Sequence, residues 1–177
     1  MYQIKKDMKL KITVLAVALV AFISSCDDFS LLNYDLNFAS AAVKIGSTEV
    51  GDTTYVEETE FLDPKGEMDK VGVDASAIKE ATIKTIKLVL KSPETGNFDW
   101  AKSASVTVMD ASGTSEEIAS VDNVADGLTE IELTGLGVDL TPYLQGGEFK
   151  FKVTATTDAP IAVDHEVIVE TTFNVSL

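Results

Sequence analysis

The sequence has no arginine, one histidine (His165) and one cysteine (Cys26). A single cysteine excludes a disulfide framework, and the lack of His/Cys clusters excludes a zinc site. Nucleophilic catalysis needs a base held against Ser, Thr or Cys, and the chain has no Gly-x-Ser-x-Gly elbow. His165 lies at a predicted strand edge, where we expect a solvated surface side chain. The sequence therefore predicts no enzyme, metal or cofactor.

Positive charge is also scarce. The chain has 14 basic residues, all lysine, against 29 acidic residues, for a net charge of −15. Nucleic-acid binding needs a basic surface that displaces counterions from phosphates, and attraction to anionic lipid headgroups needs basic residues too. We therefore expect no nucleic-acid partner. The acidic surface predicts a domain that charge keeps from self-association, or alternatively one that recognises a cationic partner or Ca²⁺.

The N-terminal segment has the pattern of a secretory signal. Residues 1–11 hold four lysines and one aspartate, and residues 12–23 (ITVLAVALVAFI) are apolar except for Thr13. A basic region, an apolar region of this length and a small-residue cleavage site are typical of signal peptides. Twelve helical residues span only about 18 Å, too short for a membrane core of about 30 Å. Met1 and Met8 both leave a complete signal, so the start remains open.

The end of this segment, Ile23-Ser24-Ser25-Cys26, resembles a lipobox. The resemblance implies acylation of Cys26, including palmitate, and cleavage before it. With Ile23 and Ser25 in place of the commoner Leu and Gly or Ala, the motif resembles lipoproteins of the Bacteroidota. Asp27-Asp28 is similar to the acidic export tag of their surface lipoproteins. Two or more acyl chains anchor a protein stably, so the membrane is the expected partner.

These signals divide the chain into a signal peptide (1–25), a tether (26–34) and one domain (35–177). Removing residues 1–25 removes four lysines and one aspartate, leaving 10 basic and 28 acidic residues and a net charge of −18. Residues 26–177 are enough for one domain with a proper core but not for two.

Period-2 alternation of apolar and polar residues predicts strands in the domain. The clearest cover 148–155, 167–175 and 86–91, shorter ones lie around Val106 and Ile131, and weaker candidates cover 36–45, 53–62 and 117–121. Asp63 to Gly66 fits a type I turn. Short helical turns are predicted at 74–81, with Asp74 as N-cap, and from Thr141, with Pro142 at the first position. The expected fold is an antiparallel β-sandwich, immunoglobulin-like or related, with about seven or eight strands.

The stretch from Ile86 to Pro93, followed by Asn97 to Trp100, resembles small lipoproteins of the Bacteroidota and implies no activity. Phe98 and Trp100 lie two residues apart and would share a strand face. They are candidates for stacking on a glycan, although a core role for Trp100 is favoured. Asp52-Thr53-Thr54 resembles the O-glycosylation acceptor of this phylum, which makes Thr53 a candidate modification site.

Acidic clusters give no specific site. Glu58 and Glu60 are expected on one strand face, and a solvated surface explains them better than a catalytic or Ca²⁺ site. Residues 122–127 carry Asp122, Asp126 and Gly127 at calcium-loop spacing, but Val124 takes a ligand position and a hairpin loop explains the segment.

The predicted function is a non-enzymatic, lipid-anchored module of the outer membrane, on the cell surface or, alternatively, on the periplasmic face. It would bind a partner or serve as a structural module. A glycan-binding accessory lipoprotein and a minor fimbrial or adhesin-type subunit are the alternatives. Loops at one end of the sandwich are expected to carry any recognition.

Overall fold

Ten antiparallel strands form two sheets in the computed structural model, which describes residues 32–177. Seven strands have five or more residues, and three have only two or three. The strands are β1 (Asn33–Ala39), β2 (Val43–Ile45), β3 (Thr54–Glu58), β4 (Glu80–Ser92), β5 (Ala101–Asp110), β6 (Ser115–Asp122), β7 (Glu130–Glu132), β8 (Thr134–Gly135), β9 (Phe149–Thr157) and β10 (His165–Ser176). The predicted antiparallel β-sandwich is confirmed.

Sheet 1 has the order β1-β10-β4-β7, with β2 beside β1 on the same edge of β10. Sheet 2 has the order β3-β9-β5-β6-β8. The strongest predicted strands form the centres: β9 lies between β3 and β5, and β10 lies between β1/β2 and β4. Their alternating apolar residues face the core, since side chains at every second position share one face of a sheet.

Two hydroxyl groups end strand pairing at the sheet edges. The Ser40 amide donates to the Val169 carbonyl, and the Val169 amide donates to Ser40 Oγ at 3.0 Å. Thr59 repeats the arrangement with Phe151, whose amide donates to Thr59 Oγ1 at 3.0 Å. Each hydroxyl replaces a backbone carbonyl, so the edge strand can turn away without leaving a buried amide unpaired. This explains why predicted strand 36–45 is split and why 53–62 ends at Glu58.

Two predicted boundaries are wrong. β1 begins at Asn33, so the tether predicted for 26–34 overlaps the sheet at its last two residues. The turn predicted at 63–66 is the start of a helix, α1 (Lys65–Val71). Asp63 accepts the Lys65 amide at 2.8 Å, and Met68 buries against the core, which extends the turn into a helix.

The other helical predictions are confirmed in position. A 3-10 helix covers Ala75–Ala77, shorter than predicted, and the Asp74 side chain accepts the Ser76 amide as its N-cap. Helix α2 (Thr141–Gln145) has Pro142 in its first turn. Within residues 32–177 no helix is long and apolar enough to cross a membrane.

Two aromatic clusters lie in the core. The phenylalanine cluster joins both sheets and consists of Phe38, Phe149, Phe151 and Phe173, with ring centroids 5.0–6.0 Å apart. The loop-end cluster consists of Phe98, Trp100 and His165, with centroids 5.7 and 5.4 Å apart. All seven side chains are buried.

Candidate functional site

Four loops meet at one end of the sandwich, called here the loop end: residues 46–53, 93–100, 123–129 and 158–164. Strand direction brings them together, because antiparallel neighbours alternate the ends at which they start. Backbone bonds join them in pairs: Thr48 exchanges two bonds with Ile161, and the Phe98 amide donates to the Leu128 carbonyl. The opposite, terminal end holds Leu32 and Leu177, where the Leu177 amide donates to the Leu32 carbonyl.

The sequence-predicted aromatic pair lies beneath this loop surface. Phe98 is 1% exposed and Trp100 is 6% exposed, and their rings pack on each other 5.7 Å apart. Stacking on a sugar needs an uncovered ring face, which neither residue offers. The core role favoured for Trp100 is therefore confirmed, and the alternative glycan-stacking role for Phe98 and Trp100 conflicts with their burial.

The expectation for His165 is wrong. His165 is the first residue of β10, where it pairs with Ile45, and its side chain is 6% exposed. The imidazole lies 5.4 Å from the Trp100 ring, tilted by 54°. Burial lowers the pKa of His165 below its usual 6.5, while a hydrogen bond with the Val163 backbone and the charge of Asp164 oppose the shift. The side chain is thus held in its neutral form.

Two buried polar atoms in this cluster are unpaired within the described residues: Trp100 Nε1 and His165 Nδ1. Unpaired buried polar groups are uncommon in folded proteins because each forfeits its hydrogen bond to water. Burial of the loop-end cluster therefore stabilises the fold less than burial of purely apolar rings would.

Thr53 lies on the same end. It follows Asp52, whose φ of 54° places it in the left-handed region that favours glycine. The Thr53 amide donates to Thr157 Oγ1 at 3.0 Å, and Thr53 Oγ1 donates to the Val50 carbonyl at 3.3 Å. The candidate modification site is therefore half-buried, with its hydroxyl turned toward its own loop.

The loop end is acidic. Its four loops contain seven carboxylates and no lysine: Glu49, Asp52, Glu94, Asp99, Asp126, Asp158 and Asp164. Asp164 is the best anchored, because it bonds Lys44 Nζ at 2.5 Å and accepts the Ser47 amide at 2.8 Å. The bond to Lys44 lowers the pKa of Asp164 to about 2. Among residues 32–177, no three His, Cys, Asp or Glu side chains converge as they would around a metal ion.

Among the clefts in the surface of the described residues, two lie next to loops or helices. One of about 500 Å³ lies at the loop end, between Ser47–Glu49 and Pro160–Ala162. Another of about 540 Å³ lies between α1 and α2, where Met68, Val73 and Leu144 form an apolar floor. Neither is lined by a candidate binding or modification residue predicted from the sequence.

The remaining sequence candidates do not form sites. Glu58 bonds Lys150 on the neighbouring strand, and Glu60 lies beyond the end of β3; both side chains are exposed, on either side of buried Thr59. The 122–127 segment is a loop, as expected, and the Gly127 amide donates to Asp99 rather than to a ligand carboxylate of the segment. Cys26 lies outside the described residues.

Comparisons with known proteins give weak matches to viral structures. No known protein family matches the chain, and no curated protein matches its sequence. A structure of Desmodium yellow mottle tymovirus matches with a TM-score of 0.32 at 6% identity, covering 82% of this chain and 87% of that chain. One of infectious bursal disease virus (Gx strain) matches with a TM-score of 0.41 at 13% identity, covering 84% of this chain and 32% of that chain. Similarity at this level says nothing about function.

Proposed function

We propose that this protein is a non-enzymatic lipoprotein of the bacterial outer membrane, anchored through acyl chains on Cys26, that presents its loop end to a partner. The signal peptide and lipobox carry the anchoring half of the proposal. The place where the chain enters the domain supports the second part, that the loop end faces a partner. The described domain begins at Leu32, at the terminal end, and the four loops lie at the opposite end.

The tether is short. Cys26 precedes Leu32 by six residues, and six extended residues reach at most about 20 Å. The terminal end would therefore stay close to the lipid surface. β10 runs from one end of the sandwich to the other with 12 residues, a length of about 40 Å at about 3.3 Å per residue. The loop end is the part of the domain that stands farthest from the membrane.

Charge indicates which partners the loop end favours. The loops carry seven carboxylates, of which only Asp164 is paired with a lysine of the described residues, Lys44. This excess of negative charge repels anionic surfaces, including the phosphates of the membrane. This repulsion keeps the loop end pointed away from the lipid, and it favours neutral or cationic partners. The glycan-binding alternative lacks its proposed aromatic platform, since Phe98 and Trp100 are buried. It would need other contacts on the loops.

Proteinase K digestion of intact cells tests the proposed location on the cell surface and the proposed anchor at Cys26. We expect wild-type protein to be digested without disruption of the outer membrane, and Cys26→Ala protein to be lost from the membrane fraction. Protection until the outer membrane is breached would place the domain on the periplasmic face. If Cys26→Ala protein stays with the membrane as the wild type does, the anchor proposal is wrong.

Labelling tests the orientation. Acylated Cys26 has no free thiol, so Val163→Cys and Leu32→Cys each introduce one reactive cysteine, at the loop end and the terminal end. The two native side chains are similarly exposed, 51% and 56%. We expect a large membrane-impermeant maleimide to label Val163→Cys faster on intact cells, and both variants equally after detergent extraction. Equal rates on cells would contradict the orientation.

A further inference from the structure

The region around His165 is held by one short strand and by contacts between loops. β2 has only three residues, and its pairing with β10 covers Val43 to Ile45 against His165 to Val167. Beyond β2, the 46–53 and 158–164 loops are joined by two backbone bonds between Thr48 and Ile161, by the Lys44–Asp164 ion pair and by the Ser47 amide bond to Asp164. The Asp158 amide also donates to the Trp100 carbonyl. Segments with short pairing and exposed bonds open at lower free energy than the central strands.

His165 is the buried titratable group inside this weakly held region. Its imidazole faces the indole of Trp100, and His165 Nδ1 has no hydrogen-bond partner among the described residues. Protonation would place a positive charge and an unpaired N–H in the core. The charged or titratable side chains on the surrounding elements are Lys44, Glu49, Asp52, Lys91, Glu94, Asp99, Asp158, Asp164 and Glu166.

Three interactions oppose this effect. The hydrogen bond with the Val163 backbone favours the protonated ring. Asp164 favours the imidazolium, but its carboxylate already binds Lys44 and the Ser47 amide. The Trp100 face can also attract a cation. Burial is the largest influence on His165, so the neutral ring is favoured in the folded domain.

We propose that His165 is a pH-sensitive latch: its neutral ring holds β2 and the 158–164 loop against Trp100, and its protonation loosens both segments. The loop end would then be ordered at neutral pH and would open as the surroundings become acidic. The latch does not depend on the lipid anchor, so it stands even if Cys26 is not acylated.

The direction of the pH effect follows from linkage. Unfolded or opened chain binds the proton near pH 6.5, and the closed form binds it only at lower pH. Closure is therefore fully stable above about pH 7, weakens as the pH falls through 6.5, and levels off below the pKa of the closed form. Each unit between the two pKa values weakens the closing equilibrium about tenfold.

Trp100 is the only tryptophan, so its fluorescence reports directly on the latch. We would titrate the full-length chain in neutral detergent from about pH 8 to about pH 5. We expect a single transition with an apparent pKa below 6.5, absent in His165→Gln and in His165→Phe. Hydrogen exchange, corrected for its intrinsic pH dependence, should increase more in 43–48 and 158–164 than in β9 as the pH falls.

Several results would overturn the proposal. A transition above pH 6.5 would mean that the Trp100 face or Asp164 outweighs burial. A transition that persists in both variants would belong to another group. If neither variant folds, hydrogen exchange of the wild type alone still tests the proposal. Uniform exchange along the domain at both pH values would rule out local opening.

Discussion

The two aromatic clusters of the core are equally buried but differ in polar content. The phenylalanine cluster joins β1, β9 and β10 with four rings that have no polar atoms. The loop-end cluster contains Trp100 and His165, each with a buried nitrogen that has no hydrogen-bond partner in residues 32–177. Burial of an unpaired polar atom offsets part of the gain from burying its ring. The two clusters are similarly buried, but the loop-end cluster stabilises the fold less, and it is the one that supports the loops.

The largest effect is expected in the phenylalanine cluster. Phe173→Ala removes a fully buried ring that contacts Phe38 and Phe149. We expect a loss of about 3–5 kcal/mol in the free energy of unfolding, measured by urea denaturation. Phe61→Ala is the control, since Phe61 is 44% exposed and should change stability by less than about 1 kcal/mol. Equal losses would show that the cluster does not hold the sheets together.

Two substitutions of Trp100 distinguish the contribution of ring packing to stability from the cost of its unpaired nitrogen. Trp100→Ala leaves a large cavity and should destabilise the domain by about 3–5 kcal/mol. Trp100→Phe keeps a ring but removes the unpaired N–H, so we expect a loss below about 1.5 kcal/mol. Chemical denaturation followed by circular dichroism measures both variants without the indole signal. Similar losses in the two variants would mean that indole packing, not its nitrogen, decides the stability of this cluster.

Ser40 lies between β1 and β2, the two strands that form one edge of sheet 1. β1 carries Phe38 of the phenylalanine cluster, and β2 pairs with His165. Ser40→Ala leaves the Val169 amide without its hydroxyl acceptor, which should cost about 1–3 kcal/mol of unfolding free energy. Hydrogen exchange at Val169 should also speed up. Ser105→Ala, on the outer face of β5, is the control and should change the free energy of unfolding by less than about 0.5 kcal/mol. Equal losses in the two variants would mean that the Ser40 hydroxyl has no particular role at this edge.

The sequence predicts the phenylalanine cluster better than the loop-end cluster. Alternation along 148–155 and 167–175 places Phe149, Phe151 and Phe173 on inner faces, because strand periodicity is a local property. Extending the second pattern back by one step from Val167 also places His165 inside. That signal was present, but a lone histidine at a strand end is usually solvated, and the expectation followed the residue type.

Tertiary contacts account for the features that the sequence did not predict. A type I turn and the first turn of a helix share local geometry, so the segment from Asp63 to Gly66 alone cannot distinguish them. Burial of Met68, which depends on packing from distant strands, extends α1. The bonds from Asp164 to Lys44 and Ser47 join positions more than 100 residues apart in the chain. No local pattern encodes such a contact.

The smallest effect is expected at the rim of the loop end. Asp164→Asn keeps an oxygen for the Ser47 amide but removes the charge that faces Lys44. Both side chains are largely solvated, so the stability of the variant at neutral pH should fall only slightly.

The pH dependence identifies the charge as the cause. The folded-state pKa of Asp164 is about 2, lowered from 3.8, so its contribution is present above pH 3.8 and is lost as the pH falls toward 2. The urea midpoints of wild type and Asp164→Asn should therefore differ slightly at pH 6 and converge near pH 2. A difference that persists at pH 2 would mean that the variant disturbs the Ser47 bond, and that the loop-end cluster depends on this hydrogen bond rather than on the ion pair.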